Sequence, residues 1–304
     1  MAAPNILCDC TGMSRTRWLE CRAHGPKGDI EYTVGGSDVA VIFGVSPWTT
    51  PLELWLIKKG RMKPKQPPNP DQLEMGHMIE PIAAHFYAKK TGNLVTEDNH
   101  LYQHATLPYA LANIDRRYTR KEDGKPGILE CKAPTYHKVD EWEDGAFPIY
   151  YELQLRFYLA VLDVQYGAFA AIWGNNPAND LATPHIIRDQ VKEDAIFEKL
   201  DQWIWSLRRD KPPTMEEVRP QLAMASLARI YGASQKGLPT IEFPPKFEPQ
   251  LRKIAALQAE NAELSRMIKR NEEANPPDIF LDGVRWNSGV QIGRVIIPEI
   301  LAPA

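Results

Sequence analysis

The sequence predicts an α/β (α+β) fold, a mixed β-sheet flanked by helices, and three observations carry that expectation. Residues 112–132, ANIDRRYTRKEDGKPGILECK, read as a β-hairpin. Residues 165–174 form an apolar run fit for a central strand, with a shorter one at 185–188. Residues 150–163 and 191–209 carry helical spacing around those strands. The chain has 304 residues, enough for one large domain or a domain with an appendage. Its 43% hydrophobic and 25% charged fractions are ordinary for a globular protein. No apolar run approaches the roughly 20 residues of a membrane span. No apolar signal core opens the chain, so a cytoplasmic location is expected.

Taken in order, residues 1–13 show no pattern. Residues 15–24 predict a short helix ended by Gly25. Gly35-Gly36 reads as a turn and Ser37 as the N-cap of a short helix whose apolar face is Val39, Ala40, Ile42 and Phe43, stopped by Gly44. The Ser37 hydroxyl is either a cap or a phosphate contact. Residues 50–59 predict another helix, followed by a Pro-rich loop, RMKPKQPPNPD. Residues 74–91 predict a helix with Ile79, Ile82, Ala83 and Phe86 facing inward, and Pro81 in its first turn or at a kink. Glu80, at the border of that face, is either a surface charge or a group reaching inward.

The hairpin is the chemical centre of the chain. Its first arm ends in Asp115, its turn holds Asp123-Gly124 and Pro126-Gly127, and Gly127 to Ala133 form the apolar second arm. Glu130 and Lys132 are two apart, so both leave the same strand face. Asp115 and Glu130 can hold a divalent cation through oxygen ligands while Lys132 orients or deprotonates a water, the set that metal-assisted phosphodiester hydrolysis requires. The acidic-x-Lys spacing occurs twice. Asp123-Gly124-Lys125 lies among turn formers, whereas Glu130-Cys131-Lys132 continues an apolar run, where charge costs desolvation unless paired or metal-bound. The bland alternative is an ordinary salt bridge on a half-exposed strand.

Beyond it, residues 136–148 read as a loop or short helix containing Trp142. Tyr150, Phe157 and Val161 form a helical stripe with Gln154 inside it, either capping a strand edge or touching substrate. Residues 211–245 are Pro-punctuated and read as a largely irregular connector after a 1–210 domain. Residues 246–304 read as an appendage, with a long narrow-striped helix through Leu251, Ile254, Leu257 and Leu264, then β-hairpins. Cys8, Cys10, Cys21 and Cys131 include no CxxC pair and read as free thiols. The net charge of −3 makes no global argument for nucleic acid. Local basic clusters do, most pointedly Arg116, Arg117, Arg120 and Lys121 beside Asp115.

Together W18-L-E-C-R22, G35-G-S-D-V-A-V-I-F-G44 with S-P-W and P-L-E-L-W after it, G76-H-M-I-E80-P, N113-I-D115, L129-E-C-K132 and I149-Y-Y-E-L-Q154 resemble the YqaJ-type viral recombinases, relatives of phage lambda exonuclease. The resemblance covers about residues 14–174 and implies a PD-(D/E)XK, restriction-endonuclease-like core. It implies Mg²⁺, with Mn²⁺ able to substitute, held by Asp115, Glu130 and the backbone carbonyl of Cys131. Lys132 would position the attacking water, and Glu80 would bind or orient a second metal or its waters. Arg22 and Ser37 would receive a 5′-phosphate, Gln154 would line the site, and Arg116 and Arg117 would face the DNA. Arg156 stands where the family often has a second glutamine.

The implied activity is a 5′-strand exonuclease acting on double-stranded DNA ends, feeding a single-strand annealing protein, with a ring trimer as the implied assembly and a phage or prophage-bearing bacterium as its setting. An endonuclease on the same metal site and a non-catalytic DNA-end-binding module are the alternatives. An iron–sulfur nuclease is disfavoured, because no cysteine follows Cys131.

Overall fold

A computed structural model describes residues 3–65, 70–214 and 220–231, together with positions 252, 256, 259–267, 270, 279–281 and 284–286. The chain divides into two compact units, Met1–Ser234 and Gln235–Ala304.

The first unit is built on a mixed sheet. Its centre is β6 (Pro126–Lys132), antiparallel to β5 (Arg116–Thr119) and parallel to β7 (Tyr166–Ile172). A parallel pair needs a crossover, and α5 (Ile149–Leu162) supplies it. β2 (Leu94–Glu97) extends the sheet beyond β5, while β8 (Leu181–Ala182) and β9 (His185–Ile187) pair antiparallel with β7. β1 (Asn5–Asp9), β3 (His100–Gln103) and β4 (Leu111–Ala112) make a separate three-stranded sheet.

Alternation along β6 divides its side chains between two layers. Leu129 and Cys131 pack with Ala83, Ala84 and Tyr87 of α4 (Pro70–Thr91). Ile128 packs in the opposite core with Leu155 and Phe157 of α5, backed by α2 (Gly36–Ile42) and α6 (Gln190–Arg208). Gly36 allows the close approach of α2 to α5, because a Cβ there would lie 2.5 Å from the Tyr158 ring. α1 (Arg15–His24) starts at Ser14, whose hydroxyl accepts the Arg17 N–H, and ends at Gly25 with φ 73°. Thr50 caps α3 (Pro51–Lys58) in the same way, accepting from the Glu53 N–H at 3.2 Å.

Several expectations change. The first hairpin arm starts after Asp115, at Arg116, so the aspartate stands at the mouth of the hairpin and not within its ladder. Gly35, not Ser37, caps α2, and the Asp38 carboxylate turns back to accept the Gly35 N–H at 3.0 Å. Pro81 lies inside α4 because the helix begins four residues earlier than expected, and Ile82 is 48% exposed while Ala84 and Tyr87 take the buried face. Residues 220–231 within the expected irregular stretch form α7 (Pro220–Tyr231). There Ser226 Oγ lies 2.8 Å from Thr50 Oγ1 and Arg229 pairs with the fully buried Glu53 at 3.0 Å.

In the second unit, residues 252, 256, 259–267 and 270 are helical, and β10 (Ile279–Leu281) pairs antiparallel with β11 (Val284–Trp286). The rest of the expected long helix and of the terminal hairpins lies outside the described residues. All four cysteines are free thiols.

Candidate active site

The β5–β6 register runs out at Arg116 opposite Leu129. Past that point the Cys131 N–H meets the Asp115 carboxylate at 2.8 Å in place of a backbone carbonyl. The bond fixes Asp115 against the strand that carries Glu130. On the opposite side of Glu130, α5 brings Gln154 to 2.9 Å from Oε2, and Lys132 approaches the same oxygen at 2.8 Å. Glu130 is 1% exposed and its Oε1 has no hydrogen-bond partner among the described residues.

An orphaned carboxylate oxygen at a buried position costs desolvation energy that a bound cation can offset. Burial, reinforced by the Asp115 charge, pushes Glu130 well above the usual carboxylate range. Burial would push Lys132 down, but the charges of Glu130 and Asp115 outweigh it and hold the ammonium above its ordinary range. Lys132 therefore stays charged at neutral pH, and of the two roles expected for it only the orienting one fits. The Tyr151 ring, 4.9 Å away, faces the ammonium as a cation–π partner.

Glu80 reaches the cluster from α4. Burial and the Asp115 charge raise its pKa, while His77 Nδ1 lies 3.0 Å from its Oε1. Among the described residues no three Asp, Glu, His or Cys side chains form a complete ligand set. The side-chain donors that do converge are hard oxygens, the chemistry that suits Mg²⁺ or Mn²⁺ over softer ions.

A groove of about 570 Å³ leads away from Gln154 and is lined by Arg22, Ser37, Trp48, Lys65, Tyr150 and Tyr151, among others. Arg22 Nη2 donates to Ser37 Oγ at 3.4 Å, and its guanidinium lies over the Trp18 ring at 4.5 Å. Trp18 is itself held by a 2.8 Å bond from Nε1 to Asn113 Oδ1, two residues before Asp115. The Arg22–Ser37 pair and the carboxylate pair are thus tied to one backbone segment.

Two expected DNA contacts are engaged elsewhere. Arg116 donates to the Asp115 carbonyl at 2.6 Å and approaches Glu97 at 4.0 Å. Arg117 points to the other sheet face, bonding Asp98 at 2.5 Å and lying 5.3 Å from the Tyr102 ring. Arg156 also turns away from the site, to Glu152 at 2.7 Å and the Ile187 carbonyl at 3.3 Å, so it leaves the contacts of Gln154 untouched. Tyr151 and Tyr158, which the sequence pattern does not single out, also stand at the site, the latter accepting from Gln154 at 3.3 Å. Counting three back and four forward from Gln154 on a helix reaches both.

Residues 17–165 match the YqaJ-like viral recombinase domain. Protein YqaJ of Bacillus subtilis strain 168 is 32% identical over 201 residues, 65% of this chain, and the chain spans 58% of that relative's length. The crystal structure of the alkaline exonuclease LHK-Exo from Laribacter hongkongensis superposes with a TM-score of 0.52 at 21% identity, covering 64% of this chain and 94% of that one. The same exonuclease in complex with dAMP superposes at 0.50, again with 21% identity, over 59% and 89% of the two chains. The site at the mouth of the hairpin stands on a mixed α/β fold shared with that exonuclease structure, within the residues, 17–165, that match the YqaJ-like viral recombinase domain.

Proposed function

We propose that the chain is a Mg²⁺-dependent DNA exonuclease that removes the 5′ strand from double-stranded ends and leaves a 3′ overhang for a single-strand annealing protein. The observation that carries this reading is the buried Glu130 carboxylate, with one oxygen unpartnered, beside Asp115 and Lys132 at the edge of a groove that also holds Arg22 and Ser37. Asp115, Glu130 and the Cys131 carbonyl would hold Mg²⁺ or Mn²⁺, with Glu80 beside them. The ion would supply Lewis-acid charge and a bound water of lowered pKa.

The chain's own groups divide the remaining work. Lys132, charged and fixed by Glu130 and Tyr151, orients a water and stabilises negative charge as it develops on the phosphate. Gln154 holds the Glu130 carboxylate in place. Arg22 presents a guanidinium fork to a terminal phosphate, and Ser37 offers a hydroxyl beside it. The dAMP bound by the structurally similar exonuclease is of the product class such a reaction releases. Assembly into a ring trimer around DNA, in the cytoplasm of a phage-bearing bacterium, is part of the same proposal. No helix among the described residues is long and apolar enough to cross a membrane.

The test is digestion of a linear duplex in Mg²⁺, with the 5′ ends phosphorylated or not and the 3′ ends labelled, beside a covalently closed circle. Loss from the 5′ ends, faster with the phosphate and sparing the circle, is expected. Cutting of the circle would make the protein an endonuclease on the same carboxylates.

A further inference from the structure

Trp48 is a large hydrophobic side chain left 56% exposed on the wall of the groove that holds Arg22, Ser37 and Gln154. An indole of that size in open water forgoes the burial that folding usually gives it. Yet the segment around it is rigidly built. The buried Ser46 hydroxyl accepts the N–H groups of Trp48 and Thr49 at 3.2 and 3.4 Å, and the Trp48 carbonyl accepts from Lys65 Nζ at 3.1 Å. Lys65 is in turn anchored at 3.2 Å by Glu53, which is fully buried. Tyr150 meets the ring edge-on, centroids 5.2 Å apart and planes at 79°, so the two rings make an L and not a closed stack. Lys138 Nζ lies 5.9 Å from the same indole. A fixed aromatic surface, open on one side and bordered by cations, is the arrangement on which a nucleobase stacks, and the stacking is tolerant of sequence because every base has a π-face.

We infer that Trp48 is a substrate-binding residue that stacks on the base of the nucleotide whose 5′-phosphate lies at Arg22 and Ser37. The inference rests on the exonuclease reading of this groove. It adds a second handle on the terminal nucleotide: the phosphate pocket reads the end, and Trp48 holds its base clear of the duplex while Gln154 and Glu130 stand at the cleavage point. A nucleobase is favoured over an apolar peptide because Arg22, Lys65 and the Ser37 hydroxyl line the groove and Lys138 Nζ lies 5.9 Å from the indole.

The experiment is steady-state resection by the full chain in Mg²⁺, on duplexes whose 5′-phosphorylated terminal residue is either a normal nucleotide or an abasic one. Wild type is compared with Trp48→Ala and Trp48→Phe. Stacking of this kind corresponds to about a tenfold or larger change in affinity. Trp48→Ala should raise KM about tenfold with kcat nearly unchanged, and Trp48→Phe should recover most of the loss. Removing the base should raise KM in wild type by a similar factor but leave Trp48→Ala unaffected. An equal Trp48→Ala penalty on both ends, or a fall in kcat alone, overturns the inference. Binding is also read directly in Ca²⁺ with 2-aminopurine as the terminal base, quenched by wild type and not by Trp48→Ala. Wild type that quenches but never cleaves would sink the exonuclease reading and leave the stacking intact, whereas cleavage without quenching sinks the stacking alone.

Discussion

Asp115 Oδ2 accepts the Cys131 N–H at 2.8 Å just past the last register pair of the β5–β6 ladder. One carboxylate therefore has two tasks: it closes the ladder, and it places its charge next to Glu130. The tasks separate by substitution. Asp115→Asn keeps an acceptor for the Cys131 N–H but removes the charge, so it should melt within a few degrees of wild type while losing about a hundredfold or more in cleavage. Asp115→Ala removes both and should also cost about 1–3 kcal/mol of stability, the penalty for an unsatisfied backbone donor. Thermal melts of the two variants decide the matter, since equal melting temperatures would mean that the bond carries no structural weight.

Lys132 is held as an ammonium by Glu130 at 2.8 Å and faced by the Tyr151 ring at 4.9 Å. Lys132→Met keeps length and apolar bulk but no charge, and should abolish cleavage while binding a DNA end in Ca²⁺ within a few-fold of wild type. Lys132→Arg should fail as well, because a planar fork does not replace a compact ammonium at a single oxygen. Digestion beside a gel-shift titration reads both. Appreciable turnover by Lys132→Met would remove the lysine from the chemistry.

Burial and the neighbouring Asp115 raise the pKa of Glu130, so a proton would compete with a cation for this carboxylate. Raising pH removes that proton, and Mg²⁺ or Mn²⁺ should therefore bind more tightly as pH climbs through the neutral range, with measurable proton release. Asp115→Asn takes away part of the cause, so its residual metal binding should depend less steeply on pH. Calorimetric titrations in buffers of different ionisation enthalpy would show this; binding that is flat between pH 6 and 9 would contradict it.

Arg22 lies over the Trp18 ring at 4.5 Å and bonds Ser37 at 3.4 Å. Arg22→Ala should slow digestion of 5′-phosphorylated ends by about tenfold or more while leaving 5′-hydroxyl ends almost as in wild type. Trp18→Ala should produce a weaker form of the same selectivity loss, through a guanidinium that is no longer held. Equal losses on both kinds of end would make Arg22 an ordinary structural residue.

Much of this site was legible because its members are close in sequence or periodic. A two-residue spacing on a strand puts Glu130 and Lys132 on one face whatever the rest of the fold does. Helices whose caps are local, such as Thr50 with α3, were equally readable. What could not be read depends on distant pairing. β1, β3 and β4 are short, and Asn5 meets Gln103 across almost a hundred residues, so no local pattern announces them. Ser37 was misread as a cap because Gly35 and Asp38 together satisfy the start of α2 and leave the serine hydroxyl to Arg22. Arg116 and Arg117 were grouped as one basic cluster, yet adjacent strand residues point to opposite faces, and the pairing of Arg117 with Asp98 required the positions of β2 and β3.

That pairing gives the remaining prediction. Asp98, 5% exposed, accepts from Tyr102 at 2.7 Å, from the His100 backbone at 3.1 Å and from Arg117. Burial opposes its charge, but these donors and the guanidinium outweigh burial and hold the carboxyl below its ordinary value. A carboxyl depressed in the folded state stabilises the fold fully above its unfolded pKa of about 3.9 and loses that contribution as pH falls through the folded value. Asp98→Asn should therefore cost about 1–3 kcal/mol at pH 7, where the charge that faces the half-buried Arg117 guanidinium is lost, and the gap from wild type should close on acidification below about pH 4. Denaturant melts of the two proteins from pH 3 to 8 measure it. A gap that stays constant across that range would show that the Asp98 charge does not hold Arg117 in place, and would return this arginine to the set of residues free to meet DNA.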